Sequence, residues 1–427
     1  MEGLEEISDI LFCPLTSVDI EFNNTKVDKA LLLQTLSLLL KSNSVYSLQE
    51  NLIKSLQTFE SLDSFKSCEA IILPGKSKDS ALVSFNIQDN KLWTLSAGAD
   101  ANNEGGRTVL SASFRNLREK ADLTNLQVEY KPNTKTYGFE LYHLDKLYVP
   151  GKWQLYYSIK QGTEEIDVNL KQVSYGGSVG IRTLNGNFRS EIGRFIRTNK
   201  INTEFASLQL ISEALPVSAK NYILTEFKQN TLDNFQQPSK GSSLTLTSEI
   251  ACGADNVYQK LDFKFNKFFG LTTSVVLQSC INFGLFVPWN FTKVSINDRY
   301  RSRFIKGFHS VGHKKMPADP VIASKYDVTG DDLGEMSKLI LEQKVQFYDA
   351  GFLSGTGLTP FLYANCICEA PLKYNGARSF FREYVRGSFG FGIGLNLGVG
   401  KLEVAYAARV FRKTQDVAAS LQVVFGD

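Results

Sequence analysis

The spacing of apolar residues changes once along the chain, near residue 91. Before that point, strand-like alternation is mixed with segments whose apolar residues recur every three or four positions. After it the period is two, in segments of about ten residues separated by Gly, Asn, Asp and Pro. The sequence therefore predicts an N-terminal tail over residues 1–14, a small α+β domain over residues 15–90 and a β-rich domain over residues 91–427.

The small domain is predicted to have the order β-α-α-β-β, with strands over residues 18–22, 65–73 and 81–88. Ser47 and Glu50 have the S-x-x-E spacing of a capping box, which predicts the start of the second helix. Each helix has one apolar stripe that the three strands can bury. The stripes are Leu32, Leu36, Leu39 and Leu40 in the first helix, and Leu48, Leu52, Leu56 and Phe59 in the second.

Each predicted strand beyond residue 91 has one apolar face. A soluble sandwich would bury these faces against a sister sheet, whereas a transmembrane barrel would present them to lipid. The 336 residues from 92 to 427 allow about 21 residues for each of sixteen strands with its connection. We therefore predict an all-β transmembrane barrel of about sixteen antiparallel strands.

Some segments depart from this regular pattern. Residues 201–229 read as one kinked strand or as two, because Pro216 interrupts them. Residues 287–338 form a connection far longer than a hairpin, and such loops are usually functional or disordered.

Glycine occupies alternate positions of a strand at Gly390, Gly392 and Gly394. These glycines are expected to clear space for a loop in the lumen or to let the wall bend.

Composition and charge exclude several classes of protein. The 47 basic and 44 acidic residues give a net charge of +3 spread along the chain, so nucleic acid is not an expected ligand. The acidic N-terminus argues against a cleaved targeting segment, and no run of eighteen apolar residues predicts a transmembrane helix. The six cysteines form neither a disulfide framework nor a zinc site.

No catalytic constellation emerges either, so we expect no enzyme activity, no cofactor and no metal. The three histidines, His143, His309 and His313, are interpreted as solvent or loop residues.

Three motifs carry a resemblance to a known family. Asp298-Arg299-Tyr300 followed by Ile305-Lys306-Gly307-Phe308 resembles the D-R-F and I-R-G-F signature of the long sixth loop in the outer-membrane barrel-assembly superfamily. Asp233, Pro238 and Gly241 have the spacing of that superfamily's D-x(4)-P-x-x-G hairpin. Asn103-Glu104-Gly105 is similar to an N-E-G found after the first barrel strand in the mitochondrial branch.

The chain thus resembles the core barrel subunit of the mitochondrial sorting and assembly machinery (SAM), and the small domain resembles its single polypeptide-transport-associated (POTRA) domain. The resemblance implies residence in the mitochondrial outer membrane, with the POTRA-like domain in the intermembrane space. It implies as partners β-barrel precursors (porin and translocase barrels), metaxin-like SAM subunits, inner-membrane contact-site (MICOS) proteins and the lipid bilayer. It also implies that the long loop folds back into the lumen, where Lys306 replaces the family's arginine.

The predicted function is insertion of barrel precursors through a lateral gate between the first strand, about residues 92–101, and the short last strand, about residues 417–426. The gate residues are Leu95, Ala97 and Ala99 on the first strand, and Leu421, Val423 and Phe425 on the last. The alternative function is a passive diffusion porin, which has no need of the N-terminal domain or of a loop that returns to the lumen.

Overall fold

The structure is a computed structural model. It describes residues 13–426 apart from 63, 78, 103–104, 133–134, 150–152, 168, 235–236, 253–256, 290–293, 312–313, 316–330, 349–356, 373–376, 397–400, 412–416 and 419. The predicted N-terminal tail up to residue 12, the Asn103-Glu104 pair and His313 lie outside these residues.

The small domain has the expected order of elements. Its strands are β1 (Ser17–Asn23), β2 (Phe65–Pro74) and β3 (Ser80–Asp89), and its helices are α1 (Lys29–Thr35), a 3-10 turn (Leu39–Lys41) and α2 (Val45–Ser61). The sheet order is β1-β3-β2, with β1 parallel and β2 antiparallel to β3. The helices cover one face of this sheet. Their apolar stripes form one buried cluster with Val83, Phe85 and Ile87 of β3.

Two details of the small domain differ from the prediction. The second helix is capped by Ser44, whose side chain accepts from the amide of Ser47 while the Ser47 hydroxyl accepts from the amide of Ser44, so the box lies three residues before the predicted one. Leu40 is 48% exposed, because α1 ends at Thr35 and the 3-10 turn rotates this side chain away from the core.

The remaining large element is a sheet of sixteen strands, and the predicted fold class is confirmed. Each consecutive pair in the sheet order is antiparallel. The strands are β4 (Trp93–Asn102), β5 (Gly105–Arg115), β6 (Leu123–Lys131), β7 (Thr136–Val149), β8 (Trp153–Asp167), β9 (Leu170–Thr183), β10 (Phe188–Ile201), β11 (Val217–Asn230), β12 (Gly241–Cys252), β13 (Val257–Gly270), β14 (Val275–Pro288), β19 (Ser337–Phe347), β20 (Leu358–Ala370), β21 (Val385–Asn396), β22 (Lys401–Phe411) and β24 (Leu421–Gly426).

The two faces of this wall differ in chemistry. Large apolar side chains point outward and are exposed on nearly every strand; they include Leu95, Leu110, Phe139, Ile159, Val179, Ile192, Ile223, Leu246, Phe283, Leu362, Phe389, Phe391 and Val423. Polar and charged side chains are buried on the inner face, among them Gln154, Glu191, Lys344, Asn365, Arg386 and Gln422. An apolar exterior around a polar interior is the pattern of a membrane barrel. The soluble-sandwich interpretation is therefore wrong.

The segment over residues 201–229 contains neither one kinked strand nor two. Strand β10 ends at Ile201, helix α3 (Leu208–Glu213) follows, and β11 begins at Val217. Ser207 caps this helix, and Leu210 is buried beneath it. A second short helix, α4 (Ala377–Tyr384), precedes β21. Among the described residues, no helix is long and apolar enough to cross a bilayer.

Candidate functional site: the docked loop and the barrel seam

The long connection between β14 and β19 is built of short segments that contact the inner face of the wall. It contains β15 (Ser302–Ile305), β16 (Phe308–Val311), β17 (Lys314–Lys315) and β18 (Asp331–Asp332). Strands β15 and β16 form a small hairpin around Lys306 and Gly307, and β17 pairs with β18. Since its side chains reach strands on several sides of the barrel, the described part of the loop lies in the lumen.

Asp298 anchors the start of the loop to strands β10 and β11. Its carboxylate accepts two hydrogen bonds from the Arg197 guanidinium, at 2.8 and 3.0 Å, and a third from the Lys220 ammonium at 2.9 Å. Burying a carboxylate is costly unless cations and hydrogen bonds compensate, and here both are present. Asp298 therefore fixes the loop at one side of the wall.

Arg299 and Tyr300 extend this attachment. Arg299 is paired with Glu213 of α3 at 2.7 Å. The Tyr300 hydroxyl donates to the carbonyl of Leu261 at 3.1 Å, and a Cβ built on Gly284 would come within 2.5 Å of the Tyr300 ring. Glycine at position 284 therefore provides the space that the ring occupies.

Lys306 lies at the loop tip, between two carboxylates and two aromatic rings. Its Nζ is 2.7 Å from Oε1 of Glu342 on β19 and 3.7 Å from Oε2 of Glu403 on β22. The same Nζ lies 5.7 Å from the ring centroid of Phe361 and 5.5 Å from that of Tyr363. An ammonium acts here as a point charge shared by two acids, without the two-pronged contact of a guanidinium.

Gly307 has a backbone conformation that favours glycine. Its φ is +93°, and a Cβ at this position would lie 2.6 Å from the Ser388 hydroxyl oxygen. The amide of Gly307 donates to Oε1 of Gln422 at 3.0 Å. Side chains with a Cβ are therefore disfavoured at this position both by the backbone and by the wall.

The carbonyl of Lys306 and the ring of Phe308 complete the contact with the wall. That carbonyl accepts from Asn365 Nδ2 at 2.8 Å and from Ser388 Oγ at 2.6 Å. Phe308 is fully buried and packs on Ile367 of β20. Ile305 is partly buried against the same pair. The four residues of the Ile305 to Phe308 motif are thus all held by strands β19 to β24.

The alternating glycines of β21 have a different role from the expected one. A Cβ on Gly392 would meet the Phe361 ring at 2.4 Å, and a Cβ on Gly390 would lie 3.0 Å from the Tyr363 hydroxyl. A Cβ at either position would also meet a backbone oxygen of β22, that of Tyr406 at 1.9 Å from Gly390 and that of Val404 at 2.5 Å from Gly392. These glycines therefore make room for the backbone of β22 and for two rings of β20, and none of the atoms nearest to their Cβ positions belongs to the loop. The rings in turn lie against Lys306, so the glycines support the loop indirectly.

The first and last barrel strands meet at a seam. Strands β4 and β24 are the two ends of the sheet order and approach to within 8 Å between Cα atoms, but no ladder joins them over the described part of the chain. Strand β24 has six residues, whereas β4 has ten. The predicted last strand is interrupted, because β23 (Val417–Ala418) pairs with β16 of the loop and not with the wall.

The predicted gate residues lie on both sides of this seam. Leu95, Ala97 and Ala99 are exposed on β4. Leu421 and Val423 are 65% and 48% exposed on β24. Phe425 lies on the same strand, but its side chain is outside the described part of the structure.

The predicted hairpin motif forms the connection between β11 and β12. Asp233 accepts from the amides of Ser239 and Lys240 at 2.9 and 3.1 Å. These bonds, with that from the Ser239 hydroxyl, hold the pKa of Asp233 down to about 2, the hydroxyl contributing most. Gly241 has a φ of +107°. Pro238 is partly buried. The motif is thus a turn whose aspartate caps backbone donors.

His143 differs from its predicted role. It lies half-buried on β7, where its Nδ1 is 2.8 Å from the Thr124 hydroxyl and its Nε2 contacts Arg118 at 2.5 Å. His309 lies on β16, in the loop. Within the described residues, no group of three or more His, Cys, Asp or Glu side chains is placed to hold a metal ion.

Several residues of the site gave no signal in the sequence. Gln422, Asn365 and Ser388 all bond the backbone of the loop tip, yet each occupies an ordinary polar position of an alternating strand. Glu342 and Glu403 could have been found only as acidic residues on the inner face of strands facing a loop cation.

A large barrel with a small N-terminal α+β domain and a long loop docked in its lumen defines a class of outer-membrane-type proteins, and comparisons with known proteins identify the family. Residues 102–427 match the Omp85 superfamily domain, so the chain belongs to the Omp85 superfamily. No curated protein sequence matches the chain significantly.

Solved structures show the same fold. BamA from Haemophilus ducreyi lacking POTRA domains 1–3 aligns with a TM-score of 0.76 at 14% identity, over 96% of this chain and 84% of that one. CdiB from Escherichia coli aligns with a TM-score of 0.56 at 11% identity, over 96% and 75%. CdiB from Acinetobacter baumannii aligns with a TM-score of 0.52 at 11% identity, over 97% and 73%.

Proposed function

We propose that this protein inserts and assembles β-barrel precursors into the mitochondrial outer membrane, through a lateral gate between β4 and β24. The observation that carries the proposal is the seam, where two strand edges of one barrel face each other without a ladder over the described residues. Membership of the Omp85 superfamily supports it. The assignment to mitochondria rests on the resemblance of Asn103-Glu104-Gly105 to an N-E-G of the mitochondrial branch, and on the resemblance of the small domain to a single POTRA domain.

The chemistry of a strand in hydrocarbon explains why such a seam is useful. A precursor strand that enters the membrane alone leaves its backbone groups unpaired, at a cost of several kcal/mol for each group. An open edge of β4 or β24 offers those groups partners, and the precursor adds to the barrel as a further strand. Exposed Leu95 and Leu421 would then face lipid beside the incoming strand.

The passive porin is less well supported. The loop is bound to the wall at Asp298 and again at Gly307, which contacts Gln422, so it crosses the space through which a solute would have to diffuse. Its buried ion pairs and hydrogen bonds to β10, β11 and β19 to β24 attach it firmly to the wall. A loop docked in the lumen favours a role for the wall and its seam over a role for the pore.

The partners are proposed on the same basis. Porin and translocase barrel precursors would be the substrates, metaxin-like SAM subunits and MICOS proteins the accessory partners, and the small domain would lie in the intermembrane space.

A cysteine lock tests the proposal. In a background without the six native cysteines, cysteine pairs across residues 94–99 and 418–424 are scanned for cross-linking, and assembly of newly imported barrel precursors is followed on native gels after depletion of the wild-type protein. Locking the seam should reduce assembly at least tenfold, and reduction of the disulfide should restore it.

The matched control is a lock between two strands that never need to separate. Ser158 on β8 and Ser178 on β9 are register partners with hydroxyls 2.8 Å apart, so Ser158→Cys with Ser178→Cys should cross-link without loss of assembly. Normal assembly by a fully locked seam would rule out insertion at this place.

A further inference from the structure

The side chain of Gln422 connects the last barrel strand to the tip of the docked loop. Its Oε1 accepts from the amide of Gly307 at 3.0 Å. Its Nε2 donates to the carbonyl of Ile305 at 3.0 Å and to that of Phe308 at 3.2 Å. All three bonds go to the backbone of the loop. The contact therefore depends on the conformation of the turn and not on the side chains of the turn.

A primary amide on a side chain of this length fits these three groups. The amide has one acceptor used by an N–H and two donors used by carbonyls. A glutamate at this position could not donate. An apolar side chain would leave the Gly307 N–H without the Gln422 acceptor and the two carbonyls without the Gln422 donor. Gln422 is 6% exposed, so water does not readily replace these bonds.

Gln422 lies on the last barrel strand, which is paired with one neighbouring strand of the wall. Strand β24 forms a ladder of six register pairs with β22 and none with β4 over the described residues. The preceding segment, Val417–Ala418, pairs with β16 of the same loop. The last strand is therefore held by β22 and by the loop together.

The first strand is held differently. Strand β4 has ten register pairs with β5. The turn between β5 and β6 contacts the small domain, where the amide of Asp28 donates to the carbonyl of Glu119 at 2.8 Å. The two edges of the seam are thus attached to different parts of the molecule.

We propose that Gln422 is a positioning residue that fixes the last barrel strand to the tip of the docked loop, so that strand and loop move together when the seam opens. The movement rests on the proposed function, whereas the attachment does not. Opening then moves the last strand and the loop tip together away from the first strand.

The attachment is tested on the barrel itself. Ser310 and Val417 are register partners of β16 and β23, so their backbones lie side by side. Ser310→Cys and Val417→Cys, in the background without native cysteines, should cross-link in membranes. Adding Gln422→Met or Gln422→Glu, which preserve length, should lower the cross-link yield at least fivefold.

The matched control is Gln172→Met, since Gln172 on β9 is also 6% exposed. It should leave the yield unchanged. Heat-modifiable migration on gels shows that each variant is a folded barrel. An unchanged yield in folded Gln422→Met and Gln422→Glu would overturn the attachment. Should both variants fail to fold, amide exchange of Gly307 in the wild-type chain decides, because an unprotected amide contradicts the bond to Gln422.

The joint movement is tested separately with the cross-link in place. Precursor assembly by the protein locked at 310 and 417 should proceed at the rate of the reduced protein, because the lock joins parts that already move together. Loss of assembly on locking, restored by reduction, would overturn joint movement. Failure of the proposed function would look different: depletion would leave precursor assembly intact, while the effect of Gln422→Met on the cross-link would persist.

Discussion

The lysine at the loop tip shows how one residue can join several strands. Lys306 pairs with Glu342 on β19 and lies near Glu403 on β22, and these strands are separated by β20 and β21. Lys344 also pairs with Glu403, at 2.6 Å, so two lysines and two glutamates neutralise each other in the lumen. Removing one member of such a network leaves a buried charge without its partner, and this typically costs about 3–5 kcal/mol.

The adjacent glycine is the most sensitive position of the tip. Gly307→Val would place a β-branched residue at a φ of +93° and a Cβ 2.6 Å from the Ser388 hydroxyl oxygen. We expect the loop to leave its site and precursor assembly to fall at least tenfold, as measured on native gels. Phe308→Ala, which empties a fully buried site, should cost about 3–5 kcal/mol and reduce assembly in the same way.

Gly162→Ala is the control, because a Cβ on Gly162 meets nothing within 4 Å. Equal effects of all three substitutions would contradict a docked loop.

At the scale of elements, the small domain depends on two helix stripes. Leu36 is fully buried and Leu52 is 7% exposed in its core. Replacing either by Ala should destabilise the domain by about 2–5 kcal/mol, since a cavity is left behind. The loss of stability is measured by amide hydrogen exchange of the full chain, and exchange in β1, β2 and β3 should be faster than in the wild type. Leu38→Ala, at a side chain that is 57% exposed, should change exchange little, and wild-type exchange in all three variants would show that the stripes do not form the core.

The hairpin motif predicts a specific pH dependence. Asp233 accepts its bonds as a carboxylate, and its pKa is lowered to about 2, chiefly by the Ser239 hydroxyl, from about 3.9 in an unfolded chain. A lowered pKa means that the stabilisation is fully present above about pH 4 and is lost as the pH falls through about 2. Protection of the Ser239 and Lys240 amides from exchange should follow that curve. Asp233→Asn should show no such titration, and a midpoint near pH 4 in the wild type would contradict the bonds.

The sequence predicted the elements better than their ends and contacts. Alternation with period two is a local property, so it indicated the strands of the barrel. The box at Ser44 was placed at Ser47 because serines suited to capping occur at both positions. Helix α3 was missed because six residues are less than two turns. Gln422 and Gly307 are 115 residues apart, and only the closed barrel brings them together.

At the scale of the whole molecule, the small domain and the barrel share one hydrophobic core. Ala121, in the turn between β5 and β6, is fully buried among the core residues of the small domain, and Leu184 packs against them. The Ala121 carbonyl accepts from the Ser64 hydroxyl at 3.2 Å. The turn is shaped by Asn116, whose side chain accepts from the amide of Ala121 at 3.0 Å. The small domain is thus attached to the turn that follows β5 and to the turn that follows β9.

Ala121→Arg tests this attachment. A long charged side chain cannot fit a site with no exposed surface, and overpacking of a buried position typically costs about 1–3 kcal/mol before the charge is counted. We expect the small domain to detach while the barrel stays folded, so that limited proteolysis cleaves between Asp89 and Trp93 faster than in the wild type and heat-modifiable migration is unchanged. Lys120→Ala, at an exposed position of the same turn, should behave as the wild type. If the first strand needs this attachment when the proposed seam opens, precursor assembly should fall in Ala121→Arg alone. Normal assembly by a detached domain would show that the first strand does not need it.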